Sequence, residues 1–256
     1  NEINMGATAI GTGITADPRY AEAVRRHLSE ISGYPMVTSP DLIEATSDTG
    51  IFMTVSGTLK RAAVKLSKIC NDLRLLSSGP QAGLGEINLP PRQAGSSIMP
   101  GKVNPVIPEV VNQVAFSIIG ADATVTAAVE GGQLQLNAFE PVIATSIMQS
   151  LAWMTNACRT LRLNCVDGIT ANVDRLNEMV EASVGVVTAL TPYIGYQESA
   201  ALAYEALASK VPIRQLVIER GLMTEEQIAK VLSPERLSGV VPATGAIPLP
   251  MVAPEN

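Results

Sequence analysis

Between Phe52 and Leu76 the apolar residues Phe52, Val55, Leu59, Ala62, Leu66, Ile69, Leu73 and Leu76 return at alternating intervals of three and four. That period lays them along one stripe of an α-helix and does not suit a strand, whose faces alternate at every residue. Lys60, Lys65, Lys68 and Asp72 fall off the stripe, as the outer side of a coiled-coil-like helix requires. With Ser39 as N-cap and Pro40 in the favoured first position, the pattern predicts one helix running from Asp41 to Leu76. At about 1.5 Å per residue it would be roughly 54 Å long, which suits an elongated bundle rather than a small compact domain.

Two more long helices are predicted, over residues 105–130 and 138–164. The first is apolar on most sides, with Val110, Val111, Val114, Phe116, Ile118 and Ile119. Such a helix needs more neighbours than this chain can easily supply, and an oligomeric bundle would provide them. After "DGITAN" at 167–172, where Thr170 or Asn172 could cap, a further helix is expected to about Leu190. The elements then shorten: "GYQESAALAYEALAS", "PIRQLVIERG" and "TEEQIAKVL" read as helices of roughly three turns or fewer. The final Pro- and Gly-rich stretch reads as an arm that is extended or frays. The expected fold is therefore all-α, a long antiparallel helix bundle over residues 1–190 followed by a small C-terminal helical domain and tail over 191–256.

The 256 residues are 46% apolar and 16% charged with a net charge of -6. Thinly spread Lys and Arg exclude nucleic-acid binding by charge. The charge-poor segment from Pro141 to Cys158 resembles a membrane span in length. However, Thr145, Gln149, Ser150, Thr155 and Asn156 favour a buried bundle helix, so no membrane partner is expected. The N-terminal residues carry no basic-then-apolar signal pattern, and a cytoplasmic chain, taken from within a longer one, is the expectation. Cys70, Cys158 and Cys165 have no metal spacing and are expected to pack in helices, so neither a metal nor a cofactor is anticipated.

From Ser77 to Asn104, 28 residues with five glycines and four prolines join two long helices that a handful could have connected. Loops of that length in a compact helical protein are functional or disordered. Its last part, "AGSSIMPGKVN", is no phosphate loop: five residues separate Gly95 from Gly101 where the Walker pattern has four, and Val103 replaces the metal-binding hydroxyl. It is no serine-hydrolase elbow either, because the one histidine, His27, lies on a separate charged helix where it reads as a solvated residue. The helix opening at Pro105, the charge of Lys102 and the amide of Asn104 could hold a carboxylate from three sides. Equally, Asn104 could be a simple N-cap, Lys102 a solvated charge, and Ser96 and Ser97 turn residues.

"GSSIMPGKVNP" resembles the signature loop of the aspartase/fumarase superfamily, and the likeness extends through "GATAIGTG" at 6–13, "LIEATSDTG" at 42–50 and "LKRAAVKLSKICNDLRLLSSGP" at 59–80. The segments "NPVIPEVVNQVAF" and "GGQLQLNAFEPVIA" are closer to aspartate ammonia-lyases than to class II fumarases, where Thr-Gln-Cys-Glu would follow the Asn-Pro. The resemblance implies elimination of ammonia from L-aspartate to give fumarate through an aci-carboxylate intermediate. It implies Ser96 as the proton-abstracting base and Ser97 as a ligand of one carboxylate. It further implies Lys102 and Asn104 as ligands of the other carboxylate, and Glu109 as a partner behind them. Met99, with Ile98, would be a hydrophobic contact of the loop or simply its anchor. A homotetramer with shared sites is also implied, with another half of the family chain preceding this one, so that the chain alone would be inactive. A fumarate hydratase and a non-catalytic helical scaffold are the alternatives.

Overall fold

The computed structural model describes residues 1–79, 81–93, 95, 98–99 and 101–240. Helices dominate, and the described strands β1 (Glu2–Ile3), β2 (Val37–Thr38), β3 (Ile87–Asn88) and β4 (Thr170–Ala171) are two residues each. β1 and β2 pair in parallel, with Glu2 opposite Val37 and Ile3 opposite Thr38. The chain divides into compact units at Asn1–Thr170 and Ala171–Asn256, earlier than the division expected after residue 190. The physical reason is Leu190: fully buried, it packs with Leu202, Ile213, Val217 and Ile228 of the second unit.

Within the first unit, α1 (Tyr20–Ser32) buries no residue, and it ends where Gly33 adopts a left-handed φ of 73°. The single helix expected over 41–76 is instead two, α2 (Leu42–Ser47) and α3 (Gly50–Leu76). Asp41, not Ser39, is the cap, its carboxylate accepting from the backbone N–H groups of Ile43 and Glu44 at 2.9 and 3.1 Å. An Asp cap supplies two acceptor oxygens where Ser supplies one rotatable hydroxyl. The helix breaks because Asp48 is extended (φ -81°, ψ 119°) and its side chain accepts from the Gly50 N–H at 3.0 Å. Short polar side chains that bond their own backbone in this way compete with helix propagation. At 27 residues α3 spans about 40 Å.

α4 (Val106–Glu130) and α5 (Glu140–Asn164) complete the bundle. Its directions are fixed by pairs that descend along one helix while they climb the other. The Ser56 hydroxyl donates to Asp122 at 2.8 Å, and the Asn112 amide donates to the Ser67 hydroxyl at 2.8 Å, so α3 and α4 are antiparallel. Val125 and Ala128 meet Ile143 and Ile147, and Val111 meets Ala157 and Leu161, so α4 and α5 are antiparallel as well. Lys60 joins Ser56 on the buried Asp122, whose carboxylate is thereby partnered as a charge in this setting must be. Of the described helices, α4 and not 141–158 is the one long and apolar enough to cross a bilayer. Its buried Asn112 and Asp122 both face α3, which is what a bundle helix requires.

The expected stripe on α3 is covered only in part: Leu59, Leu66 and Leu73 are half-buried and pack against the bundle clusters. Ser56, Ala63, Ser67 and Cys70 are buried, whereas Phe52, Val55, Ala62 and Ile69 are exposed. Small residues let the α3 and α4 backbones approach, flanked by the half-buried Leu59, Leu66 and Leu73. On α4, Val111 and Ile118 are buried but Val110, Phe116 and Ile119 are exposed.

In the second unit the helix expected to reach Leu190 stops early. α6 (Val173–Glu181) is followed by a 3-10 segment at Val184–Ala189, opened by the Ser183 hydroxyl, which accepts from the Gly185 N–H at 3.3 Å. There follow α7 (Thr191–Ile194), α8 (Tyr196–Ser209), α9 (Ile213–Glu219), α10 (Glu225–Val231) and α11 (Pro234–Leu237). α10 begins with a full capping box: the Thr224 hydroxyl accepts from the Gln227 N–H, and the Gln227 side chain accepts from the Thr224 N–H.

Candidate functional site

The long connection between α3 and α4 is built in three tethered stages. First, it folds back on the end of α3: the Gly85 N–H donates to the Ser78 carbonyl and the Glu86 N–H to the Leu76 carbonyl, both at 2.9 Å. Second, residues 87–93 are strapped to the far end of α5. Arg92 donates through Nε to the Asn164 carbonyl at 2.8 Å and through Nη2 to the Leu163 carbonyl at 3.2 Å. A guanidinium is a fitting partner for the unpaired carbonyls and negative end of a helix. The Asn88 amide donates to the Thr170 hydroxyl at 3.3 Å beside it.

Third, the chain returns to α4. Gly101 takes a left-handed φ of 80°, and the Lys102 N–H donates to the Met99 carbonyl at 3.3 Å, closing a turn. Asn104 Nδ2 then donates to the Gly95 carbonyl at 2.7 Å, joining the two ends of the segment. Of the residues expected to act here, Lys102 is exposed, Asn104 half-buried, Glu109 half-buried on the first turn of α4, and Met99 exposed. Ser96 and Ser97 lie outside the described residues. Asn104 is not the side-chain cap of α4; Pro105 holds the cap position without a side-chain hydrogen bond.

The opening of α4 offers fewer amides to an anion than its sequence suggests. Pro105 and Pro108 have no N–H, the Val106 N–H donates to the Asn104 carbonyl at 2.9 Å, and the Glu109 N–H donates to the Pro105 carbonyl at 3.1 Å. That leaves Ile107 as the first-turn amide able to point at a ligand. Charge for a carboxylate must therefore come chiefly from Lys102 and the Asn104 side chain, with the helix dipole in support.

Beneath the strap lie Cys70 and Cys165, both buried in one cluster with Val111, Ala157 and Leu161. Burial pushes the Cys70 thiol up to about 11, with the neighbouring Cys165 adding to it. Burial also raises Cys165, partly opposed by Arg92. Cys70 and Cys165 are packed, neutral thiols, as expected, but Cys158, expected to pack as well, is exposed because it lies on the outward face of α5. Among the described residues no group of His, Cys, Asp and Glu is arranged to hold a metal ion. Sequence reasoning missed Arg92 and Gly95. Arg92 follows two prolines in a loop and carried no motif, and the role of Gly95 emerges only from the return of the chain against it.

A lyase family profile matches residues 1–120, and a fumarase C C-terminus profile matches residues 186–239. The aspartate ammonia-lyase of Pseudomonas aeruginosa is 59% identical over 236 residues, which is 92% of this chain and 50% of that protein. The aspartate ammonia-lyase of Escherichia coli K12 is 53% identical, again over 92% of this chain and 49% of its own length. Among solved structures, the fumarate lyase:delta crystallin of Brucella melitensis superposes with a TM-score of 0.88 at 53% identity, covering 93% of this chain and 51% of that one. The class II fumarase of Schistosoma mansoni gives 0.84 at 31% identity, with coverages of 93% and 53%. The chain thus spans about half the length of the curated relatives it matches. On its helical bundle and on these likenesses together, the chain belongs to the aspartase/fumarase superfamily.

Proposed function

We propose that the protein to which this chain belongs is an aspartate ammonia-lyase, which eliminates ammonia reversibly from L-aspartate to give fumarate. The observation that carries this reading is the identity of more than half of the aligned residues to curated aspartate ammonia-lyases along nearly the whole chain. The geometry at the opening of α4 supports it: Asn104 is tied back to Gly95 beside the exposed Lys102, so an amide and a cation stand together there.

The chemistry is the removal of a proton from the carbon next to one carboxylate. The electron pair enters that carboxylate and produces a doubly charged aci-carboxylate. The carbon–nitrogen bond then breaks, ammonia departs and the double bond of fumarate forms. The extra charge is accessible only where preorganised donors and cations meet it out of water. In this reading Ser96, as an alkoxide, takes the proton, and Ser97 binds the carboxylate on which charge develops. Lys102 and Asn104 hold the other carboxylate, Glu109 stands behind them on α4, and Met99 anchors the loop. A serine hydroxyl is a weak base until its ionised form is stabilised, so the positive charge of Lys102 serves activation as well as binding.

The intact enzyme is a cytoplasmic homotetramer in this reading, and the 256-residue chain alone is inactive because each pocket draws on residues outside it. The exposed apolar residues along α3, α4 and α5 support assembly. Fumarate formation from L-aspartate and from L-malate, followed by ultraviolet absorbance, tests all of this with the intact parent and the chain alone. Deamination by the parent only is expected. Malate turnover would move the assignment to a fumarate hydratase, and silence on both substrates would leave the non-catalytic scaffold.

A further inference from the structure

The return of the chain at Gly95 has a consequence for how the loop is held. Asn104 Nδ2 donates to the Gly95 carbonyl at 2.7 Å across nine positions of sequence. On the other side of the same glycine, a Cβ would overlap the backbone carbonyl oxygen of Lys102 and stand 3.0 Å from the Val103 nitrogen. No side chain fits there without moving backbone, and a backbone approached this closely is a place only glycine can hold. The two strands of the loop neck are thus in contact at a point and bonded beside it.

We propose that Gly95 and Asn104 form a clasp at the neck of the loop, and that Gly95 is a positioning residue for Lys102, whose backbone it meets. The functional part of this inference rests on the lyase reading; the clasp itself does not. The clasp gives Asn104 a second task. Its amide nitrogen carries two hydrogens, of which the bond to Gly95 uses one, so the same side chain can tie the neck and present a donor to a carboxylate. It also explains why the loop can be long without losing precision. Arg92 fixes its approach on the end of α5, and the clasp fixes its neck.

Limited trypsin digestion of the 256-residue chain reads the clasp directly, because Lys102 is an exposed cleavage point inside the pinched segment while Lys68 sits within α3. Gly95→Ala and Asn104→Ala are each expected to speed cutting after Lys102 by roughly fivefold or more, the equivalent of losing about one hydrogen bond. Cutting after Lys68 should not change. Unchanged cleavage at Lys102 in both variants would overturn the clasp, and so would an equal rise at both sites, which marks general unfolding. In the intact lyase Gly95→Ala should lower kcat/KM for aspartate about tenfold or more, as expected for displaced substrate-holding groups, and Gly95→Ser should do the same. A parent that turns over no aspartate would leave the digestion result standing and remove only the catalytic role, whereas wild-type kcat/KM in Gly95→Ala would remove that role with the function intact.

Discussion

The two units solve the problem of burying apolar surface in opposite ways. The second unit collects Leu190, Leu202, Ala206, Ile213, Leu216, Val217, Met223, Ile228 and Val231 into one contiguous core built from short helices. The first unit, although larger, has three small clusters, and the fully buried side chains of α3 are only Ser56, Ala63, Ser67 and Cys70, with Leu59, Leu66 and Leu73 half-buried beside them. Many of its bulky residues face out: Phe116 is 60% exposed, Met148 67% and Trp153 40%. A short-helix unit can close on itself, whereas a set of three long helices cannot surround its own perimeter. Specificity in the first unit is carried by polar pairs, Asp122 with Ser56 and Lys60, and Asn112 with Ser67 and Asn71, which fix register without closing a core.

That contrast is sharpest in activity. In the intact lyase, Lys102→Met is expected to lower kcat/KM by about a hundredfold or more, since it removes the one full positive charge described beside the site. Arg220→Gln in the second unit, where the guanidinium pairs with Glu198 and Glu205 on an exposed surface, should leave turnover within about twofold. Steady-state assays on both variants compare the units directly, and equal losses would erase the distinction.

Stability should differ in the same sense. Leu202 is 0% exposed in the closed core, so Leu202→Ala is expected to cost about 2–5 kcal/mol. Phe52→Ala on the outward face of α3 removes a larger side chain yet should cost the isolated chain less than about 1 kcal/mol. Urea denaturation followed by circular dichroism measures both. A large cost at Phe52 in the isolated chain would mean that its helices already cover that face by self-association.

Helix positions were legible in the sequence because period and length are local, and α4 and α5 begin within two residues of expectation. The helix break at Asp48 was hidden because a continuous apolar stripe says nothing about a side chain that accepts from Gly50. The stripe is helical as expected, and it divides: Leu59, Leu66 and Leu73 pack against the bundle clusters while Phe52, Val55, Ala62 and Ile69 are exposed. Periodicity marks residues that will be covered, not which neighbour covers them, and the small residues Ala63 and Ser67 beside the stripe are the ones buried against α4. For the site, Lys102 and Asn104 were found through motif chemistry. The clasp was invisible, because Gly95 and Lys102 meet only through the backbone.

The buried thiols offer a test of how well the clusters of the first unit exclude water. Cys70 is raised from 9.0 to about 11, chiefly by burial, so between those values the unfolded chain releases its proton while the folded one retains it. The unfolded state therefore gains with rising pH. The contribution of Cys70 is fully present below pH 9.0 and falls as pH climbs to about 11, for a loss of about 3 kcal/mol at most. Urea midpoints across that window should drop in the wild type more than in Cys70→Ala, whose neutral-pH stability is slightly lower but whose slope lacks this component. If Cys70→Ala and the wild type lose stability in parallel, water reaches the thiol in the folded chain. The small-residue interface between α3 and α4 would then be as open on its inner side as the bundle is on its outer one.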